Sequence, residues 1–157
     1  MYNKILVPVD GSQLAESVLP HVKSIASGCN VNSIIFIRVV EPVDILDLPV
    51  VRSIIKDEDL DKIEQDNIQK AEAYLKKIKK SNSFGSASIT CVCLKGAAAE
   101  CIAEYASNKE VDLIVISTHG RSGISRWLLG SVADRVLQSS CVPVLMVRAP
   151  GCIPDFI

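Results

Sequence analysis

Between Ile116 and Ser131 the chain reads Ile116-Ser117-Thr118-His119-Gly120-Arg121-Ser122-Gly123-Ile124-Ser125-Arg126-Trp127-Leu128-Leu129-Gly130-Ser131. An apolar run, Leu113-Ile114-Val115-Ile116, feeds into it, and an amphipathic segment with Val132, Val136 and Leu137 on its inward face leaves it. That order predicts a buried strand, a glycine-punctuated loop and a helix start, a setting in which α/β proteins hold phosphates. Phosphate oxygens need several converging N–H donors, and Gly120, Gly123 and Gly130 allow close backbone approach. Ser131 opens the run Ser131-Val132-Ala133-Asp134, which has the spacing of a capping box with Asp134 reaching back. The Ser131 hydroxyl would bond a phosphate or a Mg²⁺ bound with it. Arg121 would neutralise phosphate charge. The same glycines and serine would also serve a loop and a helix cap that bind nothing, and spacing alone does not separate the two readings.

His119 reads as loop structure rather than catalysis, because no serine or cysteine nucleophile with an orienting acid stands around it. Trp127, Leu128 and Leu129 read as a hydrophobic anchor for the loop. There is no Gly-x-x-x-x-Gly-Lys-Ser/Thr, and the turn Asp10-Gly11-Ser12 lacks Gly-x-Gly-x-x-Gly, which disfavours a standard P-loop and a dinucleotide fingerprint.

The elements that must position this loop follow in order. Lys4 to Asp10 is a continuous apolar strand with Pro8 at its end, since proline cannot donate to a central ladder. Ser12 caps a helix carrying Leu14, Val18, Val22 and Ile25, kinked at Pro20 and closed by Gly28. Asn32–Val40 is a second buried strand. From Pro42 to Asp57 periodicity fails, which predicts a long irregular loop. Glu58 to Lys80 reads as a helix with Leu60, Ile63, Ile68, Ala71, Leu75 and Ile78 on one face and a charged, solvated face opposite. Ala87–Leu94, Asp112–Ile116 and Val142–Val147 are the remaining strands, with helices after Gly96 and from Ser131 to Gln138. This alternation predicts one α/β domain over residues 1–157: a doubly wound, five-stranded parallel sheet, flavodoxin-like or Rossmann-like, in the order 3-2-1-4-5. In that order Asp10 and Ser117 end neighbouring strands, and Asp10 faces the glycine loop across the switch-point crevice, where a carboxylate suits ribose hydroxyls or a base amino group.

Composition narrows the classes. With 17 lysines and arginines against 18 acidic residues among 157, the chain shows no basic excess for nucleic acid. No apolar run is long enough for a membrane helix, and the N-terminus runs straight into a strand, so the expected location is cytoplasmic. The six cysteines form no Cys-x-x-Cys pair and read as buried structural thiols, with Cys91 and Cys93 on one strand face and Cys152 the most exposed.

Three stretches resemble the universal stress protein family over nearly the full chain: Lys4 to Ser12, Ser117 to Gly123, and Gly130-Ser131 followed by Pro143 to Arg148. The ATP-binding branch of that family is marked by Gly-x2-Gly-x9-Gly-Ser/Thr, and here the pattern is Ser117-x2-Gly120-x9-Gly130-Ser131. The resemblance implies a site for ATP, or AMP or ADP, with or without Mg²⁺, that includes Pro8, Val9, Asp10, Val39, Ser117, Gly120, Arg121, Gly123, Gly130, Ser131 and Val132. In it Asp10 and the backbone near Val39 contact adenine and ribose, while Gly120, Gly130, Ser131 and Val132 hold phosphates. It also implies a homodimer in which the last strand, Val142 to Val147, pairs between subunits. The expected function is a nucleotide-responsive regulator or sensor of stress. A slow ATPase or self-phosphorylating enzyme and a nucleotide-independent dimeric scaffold are the rivals. Efficient hydrolysis is disfavoured, because no carboxylate or glutamine stands in the loop to orient a water.

Overall fold

The computed structural model describes residues 2–42, 57–118 and 130–148. Among these the order is β1 (Lys4–Pro8), α1 (Gln13–Glu16), α2 (Leu19–Cys29), β2 (Ser33–Val40), α3 (Asp57–Ser81), β3 (Ser88–Lys95), α4 (Ala98–Asn108), β4 (Leu113–Ser117), α5 (Ser131–Ser139) and β5 (Val144–Val147). The strands form one parallel sheet in the order β3-β2-β1-β4-β5. The expected strand order is therefore the observed one, and β1 does lie beside β4.

Alternation along each strand divides the core into two layers. Ile5, Val7, Ile34, Phe36 and Val115 pack with Val18 and Val22 on one side and with Leu75 and Ile78 of α3. Leu6, Ile35, Ile37, Ile114 and Ile116 pack on the other face with Ile102 and Ala106 of α4 and Val136 of α5. Both faces being covered explains why the strands read as unbroken apolar runs. Pro8 is the last residue of β1, and the next amide, Val9, donates to the Ile37 carbonyl at 2.9 Å.

Asp112 locks the start of this sheet. Its Oδ2 accepts from the Asn3 amide at 2.8 Å and from the Lys4 amide at 2.7 Å, while its own amide donates to the Lys4 carbonyl at 2.9 Å. Two bonds to a carboxylate at a partly exposed site are worth about 1–2 kcal/mol together. Asp112→Ala should lower the unfolding free energy by that amount, seen as a lower urea midpoint at unchanged slope, and an unchanged midpoint would show that water replaces the clamp.

Several local expectations need correction. The first crossover is two helices rather than one kinked helix: α1 ends at Glu16, and Pro20 stands in the first turn of α2, where its missing N–H has no intrahelical acceptor to lose. Gly28 lies inside α2, and Asn30, in the left-handed region with φ 52°, caps it instead. Ser131 is the first residue of α5, not its cap, and Gly130 occupies the cap position. No capping box forms, because glycine offers no side-chain acceptor and Asp134 instead accepts from Gln138 at 2.9 Å. Leu137 is exposed, and Ala133 takes the inward place with Val136.

On α3, Ala71, Leu75 and Ile78 are buried, but Ile63 is 42% exposed. The reason is length. Its 25 residues span roughly 37 Å, whereas the 8 residues of β2 span roughly 26 Å, so its first turns project past the carboxyl ends of the strands. The thiols are less buried than expected: Cys29, Cys91, Cys93 and Cys101 are half-buried and Cys141 is exposed, while Cys152 lies outside the described residues. Cys91 and Cys93 do share one face, against the α2–α3 layer. Burial pushes the thiols of Cys91, Cys93 and Cys101 up from their ordinary value, so they resist forming thiolate.

Candidate functional site

A cavity of about 590 Å³ opens above the carboxyl ends of the strands, within the usual range for small-molecule sites. Pro8, Val9, Ile37, Val39 and Ile116 form its apolar floor, and Asp10 stands at its edge. One wall is the start of α5, Gly130 to Ala133, and beside it lie Ala98 and Ile102 of α4. Asn67 and Lys70 of the projecting α3 line it as well, with Arg38 and Glu41 from β2 and its end.

Of the residues anticipated from the sequence, Pro8, Val9, Asp10, Val39, Gly130, Ser131 and Val132 are brought together around this cavity. Ser117 is not among the lining residues. It is 7% exposed, and as the neighbour of Ile116 on β4 it leaves the sheet on the opposite face. Gly120, Arg121 and Gly123, with His119, Trp127 and most of the stretch from Pro42 to Asp57, lie outside the described residues. Arg38, Glu41, Asn67 and Lys70 had no motif to announce them. Asn67 stands one turn before the buried Ala71 and Lys70 one turn before Tyr74, and the overhang of α3 brings both to the cavity.

The polar geometry favours an anion at α5. The Gly130 amide donates to the Thr118 carbonyl at 2.6 Å, the Thr118 amide to the Val147 carbonyl at 2.9 Å, and the Asp134 amide to the Gly130 carbonyl at 2.9 Å. These bonds pin Gly130 to the end of β4. The amides of Ser131, Val132 and Ala133 then fall in the first turn, where a helix has no acceptors of its own, and the cap residue supplies no side-chain bond. They carry the positive end of the helix dipole. At α4 the corresponding place is taken, since the Ala98 amide donates to Glu41 Oε1 at 3.3 Å.

Opposite, Asp10 Oδ1 accepts from the Ser12 amide at 2.9 Å and from its hydroxyl at 2.7 Å, and Ser12 Oγ in turn caps α1 through the Ala15 amide at 3.1 Å. Lys70 pairs with Asp66 at 2.6 Å on the exposed surface of α3. Among the described residues, no cluster of three histidines, cysteines or acids could hold a metal, and no helix is long and apolar enough to cross a membrane.

Because the Ser117 side chain leaves the cavity face, Ser117→Gly should leave ligand affinity within about threefold while costing about 1 kcal/mol of stability from added chain freedom. A calorimetric titration beside a melting curve checks both. A large gain in affinity would mean that the hydroxyl does obstruct the site.

Residues 1–148 match the Universal stress protein family. Among curated relatives, Universal stress protein MJ0531 of Methanocaldococcus jannaschii is 35% identical over 96% of this chain and 84% of its own length. The solved structure of hypothetical protein MJ0577, which is 28% identical, superposes with a TM-score of 0.72 over 96% of this chain and 99% of that one. A family protein from Arabidopsis thaliana, solved with AMP bound, shares the fold at a TM-score of 0.63 and 15% identity, covering 95% of this chain and 93% of its own. A universal stress protein solved in complex with cAMP does so at 0.68 and 24%, covering 94% and 98%. With the sheet order, the switch-point cavity and a family match over nearly its whole length, this chain belongs to the universal stress protein family.

Proposed function

We propose that this chain, acting as a single domain, binds an adenine nucleotide, ATP in the first place, and serves as a nucleotide-responsive regulator in the cytoplasm. The observation that carries the proposal is one cavity joining the start of α5, whose cap residue supplies no side-chain bond, to Asp10 across the switch point. Phosphates suit the amides of Ser131, Val132 and Ala133, with Gly120, Gly123 and Arg121 completing that end. The base and ribose suit Val39, Pro8, Val9 and the Asp10 carboxylate. Mg²⁺ would enter on the phosphates near the Ser131 hydroxyl. That proteins of the same fold have been solved with AMP and with cAMP supports the ligand class.

Calorimetric titration with ATP, ADP, AMP and GTP tests this reading. The expected result is saturable binding of the adenine nucleotides at one site per chain and weaker binding of GTP. Absence of heat with every nucleotide would overturn it in favour of the scaffold. Steady release of phosphate from ATP that depends on Gly130 would move the assignment to a slow ATPase.

Dimerisation through β5 belongs to the same reading. That strand is an edge of the sheet and presents Leu145 at 38% exposure, an apolar edge that pairing would cover. Sedimentation of Leu145→Lys as a lighter species than the unaltered protein would support it.

A further inference from the structure

We infer that Arg38, which also lines the cavity, is a positioning residue for this nucleotide site, packing against Gly11 in the Asp10-Gly11-Ser12 turn and so fixing where the Asp10 carboxylate stands. The inference rests on the adenine-nucleotide reading above. Arg38 follows Ile37 on β2, and alternation turns it to the layer of Ile34 and Phe36. A half-buried guanidinium needs partners, and this one meets the Tyr74 ring and the Gly11 backbone. Its central carbon lies 5.2 Å from the centre of the Tyr74 ring on α3. It also lies against Gly11, where an added Cβ would lie 3.0 Å from Nη1, 3.3 Å from Cζ and 3.4 Å from Nη2. Gly11 has φ +90°, a backbone conformation that side chains rarely adopt, so glycine both permits this turn and admits the guanidinium beside it.

The braced turn carries the carboxylate that faces the cavity, and Ser12 holds the same carboxylate from the front through Oδ1. The surrounding charges are consistent with one shared microenvironment. Burial first, then Glu16 and Asp10, push the Tyr74 hydroxyl well above an ordinary phenol, while Arg38 opposes them. A lysine would supply charge without the planar group that lies over the ring and close to the turn.

A double-mutant cycle on the full chain, read by calorimetry with AMP and with ATP, tests the inference. Arg38→Met should weaken both nucleotides by the same factor, about fivefold, and Asp10→Asn by about tenfold. In the double variant the loss should stay within about twofold of Asp10→Asn alone, because Arg38 acts through Asp10. Arg38→Lys keeps a cation over Tyr74 and serves as the fold-sparing partner in the same cycle, with a smaller loss that is equally hidden by Asp10→Asn. Losses that multiply would overturn the inference, and so would a loss confined to ATP, which would assign Arg38 to the phosphates. Binding that depends on Asp10 but ignores Arg38 removes this inference alone. If the unaltered protein binds neither nucleotide, the nucleotide reading falls and the inference with it.

Discussion

Gly130→Val is expected to weaken ATP binding by about a hundredfold, which is about 2.8 kcal/mol and equivalent to losing one or two charge-assisted hydrogen bonds. The backbone at this position does not require glycine, since φ −55° and ψ 133° are open to any residue. The two backbone bonds of Gly130, to Thr118 and from Asp134, involve no side chain and are available to valine as well. What changes is access. A branched side chain at the cap position stands where a phosphate must approach the amides of Ser131, Val132 and Ala133. Valine is also a poor cap, at a cost of about 1 kcal/mol, so the melting temperature should fall by only about 3 °C. Calorimetry and a melting curve on the same preparation separate the two effects. Full affinity in a folded variant would place the phosphates somewhere other than the start of α5.

The sequence was most legible where one physical cause dominated. Strands covered on both faces must be apolar throughout, so β1, β2 and β4 stood out as unbroken runs, and Pro8 could only end its strand. The alternation of elements then led to the sheet order and brought Asp10 to the crevice. Legibility failed where two causes competed. Serine is a common cap, yet the pinned Gly130 takes that place and supplies no side-chain bond to the helix start. Pro20 could have kinked a helix or begun one, and only the break after Glu16 decides. The apolar stripe of α3 announces a helix but not its overhang, because strand length and helix length must be compared in three dimensions. That overhang is why Asn67 and Lys70 escaped a reading based on motifs. The glycine loop itself, from His119 to Leu129, was identified by its residues and lies outside the described structure, so Gly120, Arg121 and Gly123 stand on the resemblance and on the chemistry of glycine and arginine.

Phe36→Ala should be the most damaging single change to stability, costing about 3–5 kcal/mol out of a typical total of about 5–15 kcal/mol. Phe36 is 0% exposed in the middle of β2, which pairs it with Val7 of β1 and Cys91 of β3. Its ring lies 5.7 Å from that of Phe84 at 43°, so truncation removes an aromatic contact as well as leaving a void between the sheet and α3. For a chain of this size the midpoint of thermal unfolding should fall by roughly 10 °C or more. Phe36→Leu, which fills most of the space, should lose about 1–2 kcal/mol, and equal losses for the two variants would mean that ring packing rather than volume sets the cost. The cavity floor is built by Ile37 and Val39 from the opposite face of the same strand. Below its lowered melting temperature, Phe36→Ala should therefore bind ATP within about twofold of the unaltered protein. Combined with Gly130→Val, the stability losses should add and the affinity should match Gly130→Val alone, because one residue fills the α3-side layer and the other borders the anion's path on the α5 side. Affinity that fell with Phe36→Ala in the cold would instead show that the two layers are coupled through β2, with Arg38 and its neighbours the nearest link.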